Sequence, residues 1–173
     1  GFGGICEERY NEKFINNSAV VFLLIGNGRE KDEIIALAKK LNCLNKNLFW
    51  INNLPKEQMP YVLSATDISF STVIPVKELE ANSANKVFDG MASGCCIAIN
   101  HEGWLKDLLE KNKAGMSLSQ NIEIAYNEIN SLINNPKQLA LSKKNARDLA
   151  EKFFDYDILA KDVLSILEES LKN

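Results

Sequence analysis

A chain of 173 residues with 46% hydrophobic and 25% charged residues can bury one substantial core, and its length is that of a single domain. Its net charge of -3 gives no basic face and argues against a nucleic-acid binder. No apolar run reaches the roughly 18 residues that mark a membrane-spanning helix.

The opening Gly1-Phe2-Gly3-Gly4 reads as a cut inside a longer protein. Residues 5–17 carry Cys6, Tyr10 and Phe14 on one helical stripe. Val20–Ile25 is a continuous apolar run of strand length, as in a parallel strand buried on both faces. Gly26-Asn27-Gly28 stops it. Two glycines let backbone approach a ligand closely, although an ordinary strand-to-helix turn has the same composition. Arg29 is within reach of a phosphate from there. Residues 30–41 place Ile34, Leu37, Ala38 and Leu41 at helical spacing, with Lys31 and Asp32 outward.

A second strand is expected over 47–51, followed by a loop, Asn52 to Pro55. Asn53 and Leu54 there offer backbone groups suited to a base edge; the plainer reading is a connecting loop. Pro55 suits the first turn of a short helix carrying Met59, Val62 and Leu63, which Pro60 bends or shortens. A third strand covers 67–72, and 74–82 is a long loop. Next come a helix over about 84–93, a strand over 95–99, a helix over 104–112 and a short strand over 114–118. Helices over 121–134, 136–152 and 155–171 complete the chain as scaffold. None of the four cysteines forms a Cys-x-x-Cys pair, so reduced, buried thiols are expected rather than a metal site or disulfides.

Alternating strands and helices of these lengths indicate a doubly wound, Rossmann-like parallel sheet flanked by helices. In such sheets ligands bind beyond the carboxyl ends of the strands. Loops 26–29, 52–55, 73–85 and 100–104 all follow predicted strands and gather on that rim.

The segment Glu80–Gly94 concentrates polar groups on the start of one helix. Ser83 is read as its N-cap, with Ala84, Asn85 and Lys86 in the first turn. Free N–H groups and the positive dipole end favour an anion there. A lysine in a first turn opposes the dipole unless an anion is near, which points to a phosphate. Asp89, one turn on, suits ribose hydroxyls. The plain alternative is a capped helix with a Lys86–Asp89 surface pair. Gly90, Ala92, Ser93 and Gly94 allow close packing on the sheet, with Val87, Phe88 and Met91 as core. After the next strand, Gly103 offers backbone donors at a helix start. His101 either contacts ligand or serves the strand end, and Trp104 is expected to pack on helices.

The order of Phe22–Glu30, Leu54–Pro60, Ala65–Ile68, Asn85–Gly94 and Asn145–Arg147 resembles the carboxyl-terminal domain of GT-B glycosyltransferases, family 4, the glycosyl transferases group 1. The likeness covers about residues 18–165. It implies two Rossmann-like domains in the whole enzyme, the second binding a nucleotide-sugar donor, most often a UDP-sugar. It implies transfer with retention of configuration, no metal and no cofactor. A glycan or lipid-linked acceptor is implied on the other domain. Relatives by pattern make bacterial capsule or O-antigen, which implies a cytoplasmic enzyme, peripheral at the inner membrane face.

The family's Glu-x7-Glu pair places its second carboxylate on Asp89 and its first on Ala81, which cannot serve. Glu80, one residue earlier, is the candidate for the donor sugar, and Lys86 for the diphosphate. Residues 1–173 are then one nucleotide-sugar-binding domain, with 153–173 a helical extension. The family's first strand and acceptor domain are expected to be missing, so weak donor binding and no catalysis are expected of this piece alone. Two readings compete. One is a sugar-nucleotide epimerase using His101, Glu80 or Glu102; the other is a non-catalytic Rossmann-like module.

Overall fold

The computed structural model describes residues 20–171. The helix expected over 5–17, with Cys6, lies outside the described residues. Five short strands alternate with helices: β1 (Phe22–Ile25), α1 (Lys31–Lys40), β2 (Leu48–Ile51), α2 (Met59–Ser64), β3 (Ile68–Ser71), α3 (Asn85–Ala92), β4 (Cys96–Ile99), α4 (Trp104–Lys111) and β5 (Gly115–Ser117). Three helices follow: α5 (Ile122–Ile133), α6 (Pro136–Phe153) and α7 (Tyr156–Ser170). A 3-10 turn, Lys56–Gln58, leads into α2, with Pro55 before it. A second, Lys77–Ala81, lies in the segment read as plain loop.

All strand pairs are parallel, as the βα alternation requires. The sheet is in two pieces, β1–β2 and β3–β4–β5. They share one apolar cluster, in which Phe22 and Val20 meet Ile68, Phe70 and Ala98 over α5.

The central strand β4 is flanked on both sides, and Cys95 through Ile99 are each fully buried. Its alternation sends Cys95, Ile97 and Ile99 toward α3, α4 and α6, and Ala98 toward α5. Strand β1 departs from the two-faced burial expected of it. Val21 and Leu23 are exposed, and so are Phe49 and Ile51 of the pairing strand. No described residue covers that face of the two-stranded piece.

Gly90 is required by packing. A Cβ there would lie 2.9 Å from Ile97 Cδ1 and 3.0 Å from Ser69 Oγ, so α3 rests directly on β3 and β4. Val87 and Met91 flank it in the core, and the Phe88 ring meets Phe154 in a tilted contact, centroids 4.8 Å apart. Arg147 of α6 donates to Ala92 O at the end of α3, and Lys143 bonds Asp67 at 2.8 Å. These contacts lock α6 across the sheet. In contrast α7 buries no residue, although Val163, Leu164, Ile166 and Leu167 are all apolar.

Candidate functional site on the carboxyl rim

Every loop leaving a strand emerges at the carboxyl ends, so the predicted rim exists by topology. Side chains brace it. Asn100 Oδ1 accepts from Val73 N, and its Nδ2 donates to Val73 O, both at 2.8 Å. This ties the segment after β3 to that after β4. Ser117 Oγ donates to His101 O at 2.9 Å, and Gln120 Nε2 donates to Asn100 O. The exits of β3, β4 and β5 are therefore held in fixed relation.

Helix α3 starts on this rim, one residue later than expected. Ser83 therefore lies before the cap, and Ala84, in extended conformation, occupies the N-cap position. Alanine has no acceptor, so no side chain caps the helix. The expectation that Ser83 caps it is overturned by that shift. Helices α5, α6 and α7 are each capped by a side chain, from Asn121, Asn135 and Asp155. The first turn of α3 also contains no acid. Asn85 and Lys86 are exposed on it, and Asp89 is exposed one turn on. Lys86 and Asp89 form no ion pair with each other, so the surface-pair alternative is not what the geometry shows.

Beside it, two backbone segments cross. Gly103, before α4, has φ +103° and ψ -169°. A Cβ at this position would lie 2.4 Å from Glu80 O. The 3-10 turn thus seats Glu80 against the β4–α4 connection, with Glu80 half-buried. Glu80 and Gly103 are brought together. His101 is buried at the end of β4. Its Nδ1 lies 2.9 Å from Glu102 O, and its Nε2 is buried without a partner. Trp104 is half-exposed and lines a groove between α4 and α6 with Leu108, Leu149 and Phe153, so only part of the ring packs as expected.

A second group lies on the β1–β2 piece. Gly26 has φ +140°, and a Cβ on it would lie 3.7 Å from Asn53 Oδ1. Gly26 N still donates to Ile51 O, so these two turns are adjacent. Gly28 has no atom near enough to demand glycine. Leu54 is half-buried, while Asn27, Arg29 and Asn53 are exposed. Lys31, read from the sequence as an outward helix residue, joins the rim instead. Its Nζ donates to Asn27 Oδ1 at 3.1 Å and to Asn52 Oδ1 at 2.7 Å, and lies 5.9 Å from the Trp50 ring centre. The missed signal was its position: like Lys86, it opens a helix against the dipole.

No described side chain bonds one group to the other. The connection is through packing: the β2 loop runs into α2, which packs on α3. Among the described residues no three His, Cys, Asp or Glu side chains are placed to hold a metal. No described helix is long and apolar enough to cross a membrane.

Residues 8–149 match the model of the family described as glycosyl transferases group 1. The chain belongs to that family. No curated protein matches it in sequence. Among solved structures, HepE of Anabaena in complex with UDP is similar at 17% identity and TM-score 0.75, over 93% of this chain and 46% of that one. A point mutant of S. aureus TarM, in complex with fondaparinux, alpha-GlcNAc-glycerol and UDP, is similar at 20% identity and TM-score 0.72, over 91% and 31%. WaaG, a glycosyltransferase involved in lipopolysaccharide biosynthesis, is similar at 13% identity and TM-score 0.61, over 76% and 34%. These likenesses show the GT-B-type α/β fold. This group 1 chain spans less than half the length of each of these structures.

Proposed function

We propose that this chain is the donor-binding part of a retaining glycosyltransferase, using a nucleoside-diphosphate sugar, and specifically a UDP-sugar. The observation that carries it is the start of α3. An uncapped first turn with no acid presents Lys86 on the carboxyl rim, with Asp89 one turn on. That arrangement suits two phosphates and a ribose. Neighbours of the same fold have been seen with UDP, UDP-glucose or UDP and glucose, which favours this donor class.

In this reading the amide groups of the first α3 turn and Lys86 stabilise the charge that develops on the departing diphosphate. Asp89 accepts from the ribose hydroxyls. Glu80, fixed against Gly103, orients the sugar, and Gly103 adds backbone donors. Gly26, Asn27, Gly28, Asn53 and Leu54 face the base end. No step calls on a metal or other cofactor. The acceptor, a glycan or lipid-linked saccharide, docks on a part of the enzyme outside this chain. The likeness to WaaG, a glycosyltransferase involved in lipopolysaccharide biosynthesis, favours a role in bacterial surface-polysaccharide synthesis, which would place the enzyme in the cytoplasm next to the inner membrane face. An epimerase reading gains nothing from His101, whose ring is buried away from solvent.

The test is titration calorimetry of UDP, GDP and ADP against the chain and its Asp89→Ala variant. Selective UDP binding that is lost in the variant is expected. Equal binding by parent and variant would refute the ribose assignment.

A further inference from the structure

Of the Lys31 cluster only Asn27 enters the donor-site reading; Lys31 and Asn52 play no part in it, yet their geometry is specific. An asparagine amide presents an acceptor on one side and a donor on the other, and its orientation decides which faces a ligand. Lys31 Nζ occupies Asn27 Oδ1 at 3.1 Å and Asn52 Oδ1 at 2.7 Å. An ammonium has three donors and no acceptor, so it can hold only the oxygen ends of both amides. Charge-assisted bonds of this kind are stronger than neutral ones. The Trp50 ring, 5.9 Å from Nζ, flanks the cation. Both Nδ2 groups are thereby turned away from Lys31. Neither has a partner among the described residues, and both side chains are exposed on the rim.

We propose that Lys31 is a positioning residue that orients Asn27 and Asn52 as a pair of hydrogen-bond donors, and that this pair selects a base with a carbonyl oxygen over one with an amino group at the same place. The inference rests on the donor-site reading above. It adds the residue that sets base preference and the sign of the recognition. The loop holding Asn52 continues into α2, which packs on α3, so a base at this end and a diphosphate at Lys86 lie along one rim. Uracil and cytosine are the sharpest pair of probes. They are nearly isosteric, and differ in that uracil carries the O4 acceptor where cytosine carries the N4 amino donor. Two donors facing an amino group leave every group unpaired, and a site built for one pattern rejects the other for that reason.

The experiment measures UDP and CDP affinities for the full 173-residue chain and for three variants, with circular dichroism to verify folding. The parent is expected to prefer UDP by about tenfold, the equivalent of one well-formed hydrogen bond. In Lys31→Met the amides are free to rotate, and the UDP/CDP ratio is expected to fall to about one. Asn52→Asp keeps the Lys31 contact yet has no donor to offer, so it loses the preference without disturbing the cluster. Asp89→Ala weakens both nucleotides alike and leaves the ratio unchanged. An unaltered ratio in folded Lys31→Met and in Asn52→Asp would overturn the inference while the donor site stands. So would a parent that prefers CDP or binds both equally. A parent that binds neither nucleotide overturns the donor-site reading, and this inference falls with it.

Discussion

Replacing Gly103 with alanine tests whether the crossing of two backbone segments shapes the rim. The φ of +103° with ψ of -169° lies in a region that is essentially glycine-only, where other residues carry a strain of about 1–3 kcal/mol. The new Cβ would also lie 2.4 Å from Glu80 O. That neighbour is backbone, so relief requires the 3-10 turn Lys77–Ala81 to move as a unit. Overpacking of this kind costs about 1–3 kcal/mol. Alanine stiffens the unfolded chain and returns about 0.5–1 kcal/mol. The net expectation is a loss of roughly 1–5 kcal/mol from these three terms. For a domain of this size that lowers the melting temperature by about 2–20 °C. Differential scanning calorimetry measures it, with Gly28→Ala as the control, since no atom lies within 4 Å of a Cβ there. A Gly103→Ala midpoint within about 2 °C of the control would show that the crossing is not tight and that Glu80 is not held by it.

Lys86→Ala is expected to weaken UDP binding by about tenfold and to reduce its salt dependence, because a lysine on a phosphate acts as a screened charge; calorimetry at two ionic strengths reads both. Asn100→Ala removes both bonds to Val73 and is expected to cost about 1–3 kcal/mol in urea unfolding, with weaker donor binding as the β3 and β4 exits separate. Burial pushes the thiols of Cys95 and Cys96 up to about 11. Cys95 and Cys96 of the folded chain should therefore resist alkylation at pH 8 and react only on unfolding. The sign of the linked stability follows. Below the ordinary thiol value of 9.0 both states are protonated and nothing is lost. As pH rises from there to about 11, the unfolded state ionises first and stability declines. Melts between pH 7 and 10.5 check it, and a stability that rose across that window would contradict the burial of both thiols.

The elements legible in the sequence were those with a strong local signal. Cys95–Ile99 reads as apolar on both faces and is buried on both, because α3, α4 and α6 cover one face of β4 and α5 the other. The amphipathic helices α4, α5 and α6 fall within a residue or two of expectation, since each stripe meets a buried cluster, α4 and α6 on one face of the sheet and α5 on the other. Strand β1 has the same apolar signature as β4 and a different fate. Its pattern cannot tell which faces the described chain covers. The Ser83 error is one of register: serine is the better cap chemically, but the helix starts after Ala84. The Lys77–Ala81 turn and the seating of Glu80 on Gly103 were invisible, because they depend on a backbone approach between segments more than twenty residues apart. Lys31 was misread because its partners, Asn27 and Asn52, lie on two different loops.

Lys31 and Lys86 pose the same electrostatic problem and are answered differently. Each lies in the first turn of a helix, where the dipole disfavours a cation by about 0.3–1 kcal/mol. In α1 the chain supplies the remedy itself. Asp32 and Glu33 share the first turn, and two amide oxygens coordinate the ammonium. In α3 there is no acid in the first turn, no side-chain cap and no described partner for Lys86. Helix α1 also lacks a side-chain cap, but it has acids in its first turn and partners for its lysine; α3, in the family's own motif, lacks those as well as the cap. An anion bound at α3 removes all three at once: it satisfies the free N–H groups, pairs with Lys86 and reverses the sign of the dipole term. On this account, added UDP should raise the melting temperature of the parent chain and leave that of Lys86→Glu unmoved, because the new carboxylate would occupy the first turn in the ligand's place.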